Sequence, residues 1–406
     1  MTAPRSDPAA PAAAITEAAG VLTGRVDDPL LTADTVLMRG GRIAAVGRRG
    51  EIDLSAASIV IDAAGAYIAP GLIDSHCHVV IGDYTPRQKT VDFLDSYVHG
   101  GTTSCISASE VHAPGRPTDP VGVKALAIAA QRCFSEYRPG GMTVYAGSVI
   151  LEPGLEDADF AELADAGVWL AKAGFGAFET PGECAPLVRA AQRHGMVVMC
   201  HTGGASIPSS SSVGADDLMA MLPDVSGHVN GGTTALSPRD LARVIAEPRM
   251  ALQVVQAGNL RAALEVVRAV VARGDLERLL IATDTPTGTG TMPLGLIKSV
   301  VEMSSLAPLA PELAVAAATG NPARVYRLAS GVIAPGHPAD LMLLDAPLGS
   351  AQPDALAAIS SGDIPAVSHL FTSGELRFTV SRNTPPATRP IRLLEGAAAV
   401  GAIAGV

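Results

Sequence analysis

Four histidines and one aspartate stand where apolar, strand-like runs of the sequence end. His76 and His78 lie in DSHCH, His201 in MCHTGG, His228 in GHVNGG and Asp284 in IATDTP. Side chains two positions apart on a strand point to the same face, so His76 and His78 could contact one cation. Imidazole and carboxylate donors without paired thiolates suit zinc, or iron, manganese or cobalt, rather than a structural zinc site built from cysteines. Any one of these histidines could be a core residue, but together they predict a metal site.

A lysine, Lys172, ends another such run, in VWLAKAGFG. One interpretation is that its side chain extends outward to solvent. The other is that burial near divalent metal lowers the pKa of its ammonium group, so that the neutral amine can add CO₂. The resulting carbamate would be an anionic ligand with two oxygens, able to bridge two metals. The spacing alone leaves both interpretations open.

The runs that carry these residues belong to an alternation of strand-like and helix-like segments over about residues 70–330. The strand candidates are eight: 67–76, 103–109, 143–151, 168–173, 196–201, 225–229, 251–256 and 278–284. Helical spacing of apolar residues predicts helices within 121–134, 183–195, 237–247 and 260–275, with Ser237 as an N-cap before Pro238. Buried strands separated by crossover helices predict parallel βαβ units in an α/β fold. Eight of them predict a (β/α)₈ TIM-like barrel, with an open doubly wound sheet as the alternative, and barrel active sites form at the carboxyl ends of the strands.

Both ends of the chain carry short β-rich runs punctuated by Gly and Asp, without long helical periodicity. We therefore expect residues 21–68 and 332–385 to form one small β-sandwich domain, and residues 69–331 to form the barrel. Residues 1–20, which are rich in Pro and Ala, are expected to be a disordered tail, and residues 386–406 a C-terminal tail.

The composition excludes several classes of protein. Of the 406 residues, 48% are hydrophobic and 17% charged, which supplies a large packed core and excludes overall disorder. A net charge of −11 argues against nucleic acid or an anionic membrane as a partner. No apolar run approaches the roughly 18 residues of a membrane span. The N-terminus lacks the pattern of a secretory signal, and the cysteines have no C-x-x-C spacing, so we expect a cytoplasmic protein with reduced thiols at Cys77, Cys105, Cys133, Cys184 and Cys200.

The ordered set of motifs resembles the amidohydrolase superfamily of metal-dependent hydrolases. PGLIDSHCH, the strand-ending Lys172, HTGG, the later His228 and TDTP are flanked by GRIAAVG and GVIAPGHPADLMLLD, in the order of that superfamily over about residues 20–380. HTGGASIP, HVNGG, the run from Asp284 and SRNTPP are similar to the enamidases, a branch that opens the ring of a cyclic enamide in nicotinate breakdown. The resemblance implies an (α/β)₈ barrel with a β-sandwich, two divalent metals and, often, a homotetramer.

The resemblance also implies roles for individual residues. It implies six metal ligands: His76, His78, Lys172, His201, His228 and Asp284. His76 and His78 would hold the more buried metal together with Asp284. His201 and His228 would hold the outer metal, and carbamylated Lys172 would bridge the two metals. Zinc is expected, with iron or manganese as alternatives in one site. The enamidases have a glutamate at the bridging position, so Glu179 and Glu183 are alternative bridges.

The expected activity is hydrolysis of a cyclic amide, an enamide or lactam, by attack of a metal-bridging hydroxide. Asp284 would accept the proton of the bridging water and pass it to the leaving nitrogen. Gly203 and Gly204 would let a small substrate approach the backbone closely, and candidates to bind a substrate carboxylate are Arg87, Arg116 and Arg239. Alternatives are a hydrolase for another C–N substrate, such as a hydantoin- or dihydropyrimidine-like cyclic ureide or an N-acyl amino acid, and a mononuclear deaminase. A non-catalytic scaffold is disfavoured because every candidate ligand is present.

Overall fold

The computed structural model describes residues 12–79, 90–111, 115–205, 211–232, 234–287 and 290–395. In chain order the strands of this part of the protein are β1 (Ala12–Thr16), β2 (Gly20–Leu22), β3 (Leu30–Leu31), β4 (Thr35–Arg39), β5 (Arg42–Gly47), β6 (Ala57–Asp62), β7 (Tyr67–Pro70), β8 (Leu72–Cys77), β9 (Thr102–Ser107), β10 (Thr143–Tyr145), β11 (Ser148–Ile150), β12 (Leu170–Ala173), β13 (Val197–Cys200), β14 (Val225–Ser226), β15 (Ala251–Val255), β16 (Leu279–Ala282), β17 (Leu341–Asp345), β18 (Ala366–Thr372), β19 (Glu375–Phe378) and β20 (Arg392–Glu395).

The α-helices within the described residues are Thr90–Val98, Pro120–Phe134, Asp157–Asp165, Ala185–Arg193, Ala215–Met221, Pro238–Ala246, Leu260–Arg273, Gly295–Leu306, Pro311–Ala317, Gly320–Val325 and Ala355–Ser361. Short 3₁₀ helices cover Arg49–Glu51, Pro139–Gly141, Pro181–Cys184 and Leu276–Arg278. The four predicted helices are confirmed, and Ser237 caps the third of them by accepting a hydrogen bond from the backbone N–H of Asp240. Among the described helices, none is long and apolar enough to cross a membrane.

The chain divides into two compact units, and the first comprises the described residues of 1–73, 97–103 and 300–406. It contains two mixed sheets, with strand orders β20-β6-β1-β4-β5 and β19-β18-β17-β7-β2-β3. Buried side chains of both sheets, among them Ile15, Ile61, Leu341 and Phe371, pack into one hydrophobic core. Strands from early and late in the sequence therefore combine in one β unit.

Two segments that were expected to be tails contain strands of this unit. Strand β1 lies within residues 1–20 and pairs with both β4 and β6, because its Ala and Ile side chains are buried in the core. Strand β20 lies within residues 386–406 and pairs with β6 in antiparallel fashion. The prediction of tails is therefore wrong at these strands, and residues 1–11 and 396–406 lie outside the described residues.

The second unit comprises the described residues of 74–96 and 104–299. Its strands are parallel to their neighbours and carry the residues of the predicted metal site. They form a six-stranded sheet, β11-β12-β13-β14-β15-β16, and β10-β9-β8 form a three-stranded sheet. A parallel bridge between Cys77 and Thr285 links the end of β8 to the residues that follow β16. The α/β fold is thus confirmed, and the described parallel strands of this unit lie in two sheets.

Two of the predicted strands are divided. Residues 67–76 split into β7 and β8 at Pro70 and Gly71, and β7 pairs with β2 and β17 in the first unit. Residues 143–151 split into β10 and β11 around Gly147, whose φ of 97° lies in the left-handed region that favours glycine. Burial on both faces explains why these strands read as nearly continuous apolar runs instead of alternating ones.

Candidate metal centre

His76, His78 and Asp284 form a buried cluster that could hold a metal ion. One oxygen of Asp284, Oδ1, lies 3.1 Å from Nε2 of His76 and 2.8 Å from Nε2 of His78. One donor atom from each residue lies within 4.8 Å of the others. The two histidines share a face because they are two residues apart at the end of β8, as the spacing predicted.

Backbone hydrogen bonds join the two chain segments that supply this cluster. The N–H of Asp284 donates to the carbonyl of His76 at 2.9 Å, and the N–H of His78 donates to the carbonyl of Thr285 at 3.0 Å. Asp284 has a φ of 57°, a left-handed conformation that is uncommon for a residue other than glycine. Such strained residues persist where the surrounding structure holds them, often at functional sites.

Asp74 ties the ends of β8 and β16 together directly beneath the cluster. Its carboxylate accepts hydrogen bonds from the backbone N–H of His76 and from both the N–H and the hydroxyl of Thr283. Burial raises the pKa of Asp74 to about 7, although these hydrogen bonds favour the charged form. Asp74 therefore fixes the backbone from which two of the candidate ligands project.

Gln253, in the middle of β15, orients His76. Its Nε2 donates to the carbonyl and hydroxyl oxygens of Ser75, so its Oε1 faces His76 and accepts from Nδ1 at 2.6 Å. Nδ1 of His76 then carries a proton, and Nε2 is the ring nitrogen that faces Asp284. A partner of this kind on the far ring nitrogen is typical of metal-ligating histidines.

A second pair of imidazoles, His201 and His228, lies beside the first cluster. Nδ1 of His201 is 3.0 Å from Nε2 of His228, and Nε2 of His201 is 2.9 Å from the carbonyl oxygen of Gly204. The ring of His228 also lies 5.4 Å from that of His76, measured between centroids. Four imidazoles from the ends of three separate strand segments are thus brought together.

Burial favours the neutral form of His76, His201 and His228. It lowers the pKa of His201 to about 4 and lowers those of His76 and His228 as well, against the attraction of Asp284. Burial alone would raise the pKa of Asp284, but the neighbouring His76, His78 and His228 outweigh it and hold that pKa well below its usual range. Neutral imidazoles and an ionised carboxylate are the protonation states in which these groups bind metal.

The donor set fits divalent metal. A cation would lie between nitrogen and oxygen atoms that otherwise face one another at hydrogen-bond distance, which is the arrangement of first-row metal sites with histidine and carboxylate ligands. In the described part of the structure Nδ1 of His228 is buried without a hydrogen-bond partner, an unusual situation for an imidazole nitrogen.

Lys172 ends β12 and is buried, with 1% of its surface exposed. Burial lowers the pKa of its ammonium group to about 8, while Asp284 and Cys200 act in the opposite direction. Its Nζ lies 5.6 Å from the centroid of the Phe175 ring. The interpretation that Lys172 extends to solvent is therefore wrong.

Four other predicted site residues are either exposed or packed closely against the chain. The alternative bridges Glu179 and Glu183 are exposed, away from the buried imidazoles, and Glu183 accepts a hydrogen bond from Thr180. An added Cβ on Gly203 or Gly204 would meet Thr234, at 2.6 Å and 1.7 Å respectively, so close packing within the chain accounts for both glycines.

The three arginines considered for a substrate carboxylate also differ in their surroundings. Arg239 is exposed on the helix Pro238–Ala246, whereas Arg116 is buried in an ion pair with Glu152. Arg87 lies outside the described residues.

Comparison with known proteins identifies the family. The model of the amidohydrolase family matches residues 67–380. The chain belongs to the amidohydrolase family. This amidohydrolase is 46% identical to an enamidase from Eubacterium barkeri over 375 residues, which cover 92% of this chain and 97% of the enamidase. It is also 29% identical to an adenine deaminase from Deinococcus radiodurans over 337 residues, 76% of this chain and 55% of that protein.

Solved structures agree with this assignment. The crystal structure of an enamidase superposes with a TM-score of 0.90 at 45% identity, covering 94% of this amidohydrolase and 100% of that chain. An N-acetyl-D-glucosamine-6-phosphate deacetylase from Mycobacterium smegmatis has a TM-score of 0.63 at 17% identity, covering 91% and 100%, and so shares the fold. The amidohydrolase fold, a TIM barrel with an additional domain, is therefore that of this protein.

Sequence reasoning missed several residues that shape the site. Gln253 could have been found, because it is the polar residue within the buried run ALQVV. Asp74 and Thr283 each lie close to a predicted ligand in sequence, but only the fold shows that they bond to each other. Phe175, whose ring lies 5.2 Å from that of His201, carries no signal in sequence alone.

Proposed function

We propose that this amidohydrolase hydrolyses the amide bond of a cyclic enamide, because it is 46% identical to a protein named enamidase from Eubacterium barkeri. The observation that carries the proposal is the high identity over nearly the whole of both chains, together with the buried imidazole and carboxylate cluster. Relatives at lower identity act on other C–N bonds, so the substrate is the part that needs testing.

His76, His78 and Asp284 would hold one divalent metal, and the second pair of imidazoles, His201 and His228, would hold another. Bound there, such ions would lower the pKa of a shared water and polarise the amide carbonyl. We propose zinc, with iron or manganese as alternatives in one site. Elemental analysis of the purified protein is expected to give about two metals per chain, and well under one after growth in metal-supplemented medium would contradict the assignment.

Asp284 is ionised in its histidine surroundings and so can accept the proton of an attacking water. The carbonyl carbon gains that oxygen, its bond to nitrogen breaks, and Asp284 returns the proton to the departing nitrogen. For an enamide the product is a carboxylate with an enamine at the other end of the opened ring. A second water then converts the enamine to an aldehyde and releases ammonia.

Lys172 is the proposed bridge between the two metals, as a carbamate formed with CO₂. Its burial and its lowered pKa, about 8, support the proposal, because a deprotonated amine is what adds CO₂. Metal-free enzyme reconstituted with metal is expected to regain more activity with added bicarbonate than in CO₂-depleted buffer. Equal recovery in both buffers would contradict a carbamate.

A substrate screen scored by ammonia release and by ring opening tests the activity. Cyclic enamides of the tetrahydronicotinate type are expected to be hydrolysed in preference to hydantoins, dihydropyrimidines and N-acyl amino acids. Because adenine deamination also releases ammonia, adenine is included as a separate arm, motivated by the adenine deaminase relative. A preference for a ureide or for adenine would refute the enamide assignment.

Four further properties are proposed. The barrel strands are proposed to close into one ring, with domain boundaries near residues 69 and 331. The protein is proposed to be a cytoplasmic homo-oligomer, a tetramer as in the enamidase branch. Light scattering of the purified protein measures the oligomeric state, and a monomer would contradict it.

A further inference from the structure

The segment that follows Lys172 is held by a buried ion pair that the proposed chemistry does not use. The pair joins Arg116 to Glu152, the second residue after β11. The side chain of Glu152 is fully buried, and that of Arg116 is only 6% exposed. Removing two charges from water is costly, and such a pair is weak evidence of stabilisation by itself. Its contacts with the backbone point to another role.

Both members of the pair bond to the backbone on either side of Gly176. Arg116 Nη2 donates to the carbonyl of Phe175 at 2.8 Å, and the N–H of Ala177 donates to Glu152 Oε2 at 2.7 Å. Between them, a Cβ added to Gly176 would lie 2.2 Å from the carbonyl oxygen of Leu151, so the chain passes very close to the end of β11. The ion pair thus acts as a clamp on residues 175–177.

The clamped segment carries the aromatic wall of the proposed outer metal site. The Phe175 ring meets that of His201 edge-on, with centroids 5.2 Å apart, and lies 5.6 Å from Nζ of Lys172. Just before it, Gly174 has a φ of 91°, and an added Cβ there would lie 2.7 Å from Cβ of His201. A shift of this segment would therefore be transmitted to both His201 and Lys172.

We propose that Arg116 and Glu152 are positioning residues that hold Phe175 against His201 and Lys172, and so set the affinity of the outer metal site. The inference rests on the proposed binuclear site. It also assigns Arg116 a role other than binding a substrate carboxylate, since its charge is already matched by Glu152 and its Nη atoms donate to the carbonyls of Pro117 and Phe175.

The test measures metal affinity rather than turnover. Metal-free protein is titrated with Zn²⁺ in competition with a chelator, which resolves the tighter and the weaker equivalent. Phe175→Leu removes the aromatic wall without leaving a buried charge. Phe160→Leu is the matched control, because Phe160 is also buried but belongs to the helix Asp157–Asp165. We expect Phe175→Leu to weaken the second equivalent by about 10-fold, and Phe160→Leu to leave both unchanged.

The clamp is tested by removing both charges at once. Arg116→Met combined with Glu152→Gln avoids an unpaired buried charge and keeps an acceptor for the N–H of Ala177. We expect it to fold and to weaken the second equivalent by about 10–100-fold, with the first unchanged. Arg193→Met with Asp157→Asn, which neutralises an exposed ion pair, is the control and is expected to bind as the parent does.

Unchanged affinity for the second equivalent in both Phe175→Leu and the double variant would overturn the inference, as would a parent protein with only one equivalent. A raised KM for carboxylate-bearing substrates with unchanged metal binding would instead make Arg116 a substrate-binding residue. Failure of the proposed function is distinguishable, because a protein that binds two metals but hydrolyses no cyclic enamide still reports on the clamp.

Discussion

Replacing Gln253 by leucine should weaken metal binding at the cluster of His76, His78 and Asp284. Leucine has a similar volume but cannot accept the hydrogen bond from Nδ1 of His76, which Gln253 accepts at 2.6 Å. The imidazole then loses the contact that fixes its proton on Nδ1 and its ring orientation. Loss of such a partner typically costs 10–100-fold in metal affinity, which corresponds to about 1.4–2.7 kcal/mol.

The same change should lower the stability of the metal-free protein. The buried Nδ1–H of His76 loses its acceptor, and the carbonyl and hydroxyl oxygens of Ser75 each lose the donor that Gln253 supplies. A buried polar group left unsatisfied costs about 1–3 kcal/mol. We expect a decrease of about 2–4 kcal/mol in the free energy of unfolding, measured by urea denaturation. Metal affinity is measured separately, by competition with a chelator.

Two variants separate the hydrogen bond from packing. Gln253→Glu keeps an acceptor for Nδ1 of His76 and is expected to retain more metal affinity than Gln253→Leu. Gln192→Leu makes the same exchange on the helix Ala185–Arg193, where Gln192 donates to the carbonyl of Leu222, and is expected to leave metal binding unchanged. Parent-like metal affinity in Gln253→Leu would refute the reasoning.

The remaining predictions concern three other side chains. His76→Ala should abolish turnover and remove one metal while the circular dichroism of the folded protein persists; near-normal activity would contradict its role as a ligand. Lys172→Ala should lose the second metal and most activity, with partial rescue by acetate, whereas loss of that metal in Glu179→Ala instead would contradict the bridge. Burial raises the pKa of Glu110 to about 7, although the N–H groups of Gly147 and Ser148 donate to its Oε1. Between about pH 4.5 and pH 7, Glu110 is therefore protonated in the folded protein but ionised in the unfolded chain. The free energy of unfolding consequently falls as the pH rises through that range. Glu110→Gln removes the titrating group. In urea denaturation its free energy of unfolding should exceed that of the parent by up to about 3 kcal/mol above pH 7, and by little at pH 4.5. An equal increase at both pH values would contradict the reasoning.

The clustering of the site residues could be predicted because they combine a metal-binding side chain with a position at a strand end. His76, His78 and Asp284 needed only the periodicity of strands and the rule that parallel strands end together. Whether the Lys172 side chain is buried or exposed could not be predicted in that way, because burial depends on the packing of neighbours such as Phe175.

The alternation of strands and helices could be predicted from the sequence, whereas the ends of individual strands could not. The division at Pro70 was missed because the apolar run continues through it, although proline cannot donate to the sheet and Gly71 packs against Thr103. Strands β1 and β20 were missed because composition suggested tails, while their stability comes from pairing with the distant strand β6. Pairing across such separations leaves no local pattern.

The position of β6 between β1 and β20 has a consequence for biosynthesis. On one side β6 pairs with β1, which has already left the ribosome, but its other side waits for residues that follow about 330 positions later. At roughly 5–20 residues per second, that interval lasts on the order of half a minute. During this interval one edge of β6, which contains the run Ile59–Val60–Ile61, has unpaired backbone N–H and C=O groups. Such an open edge is a template for association with other chains. Pairing of β20 with β6 therefore also closes an edge at which nascent chains could associate with one another.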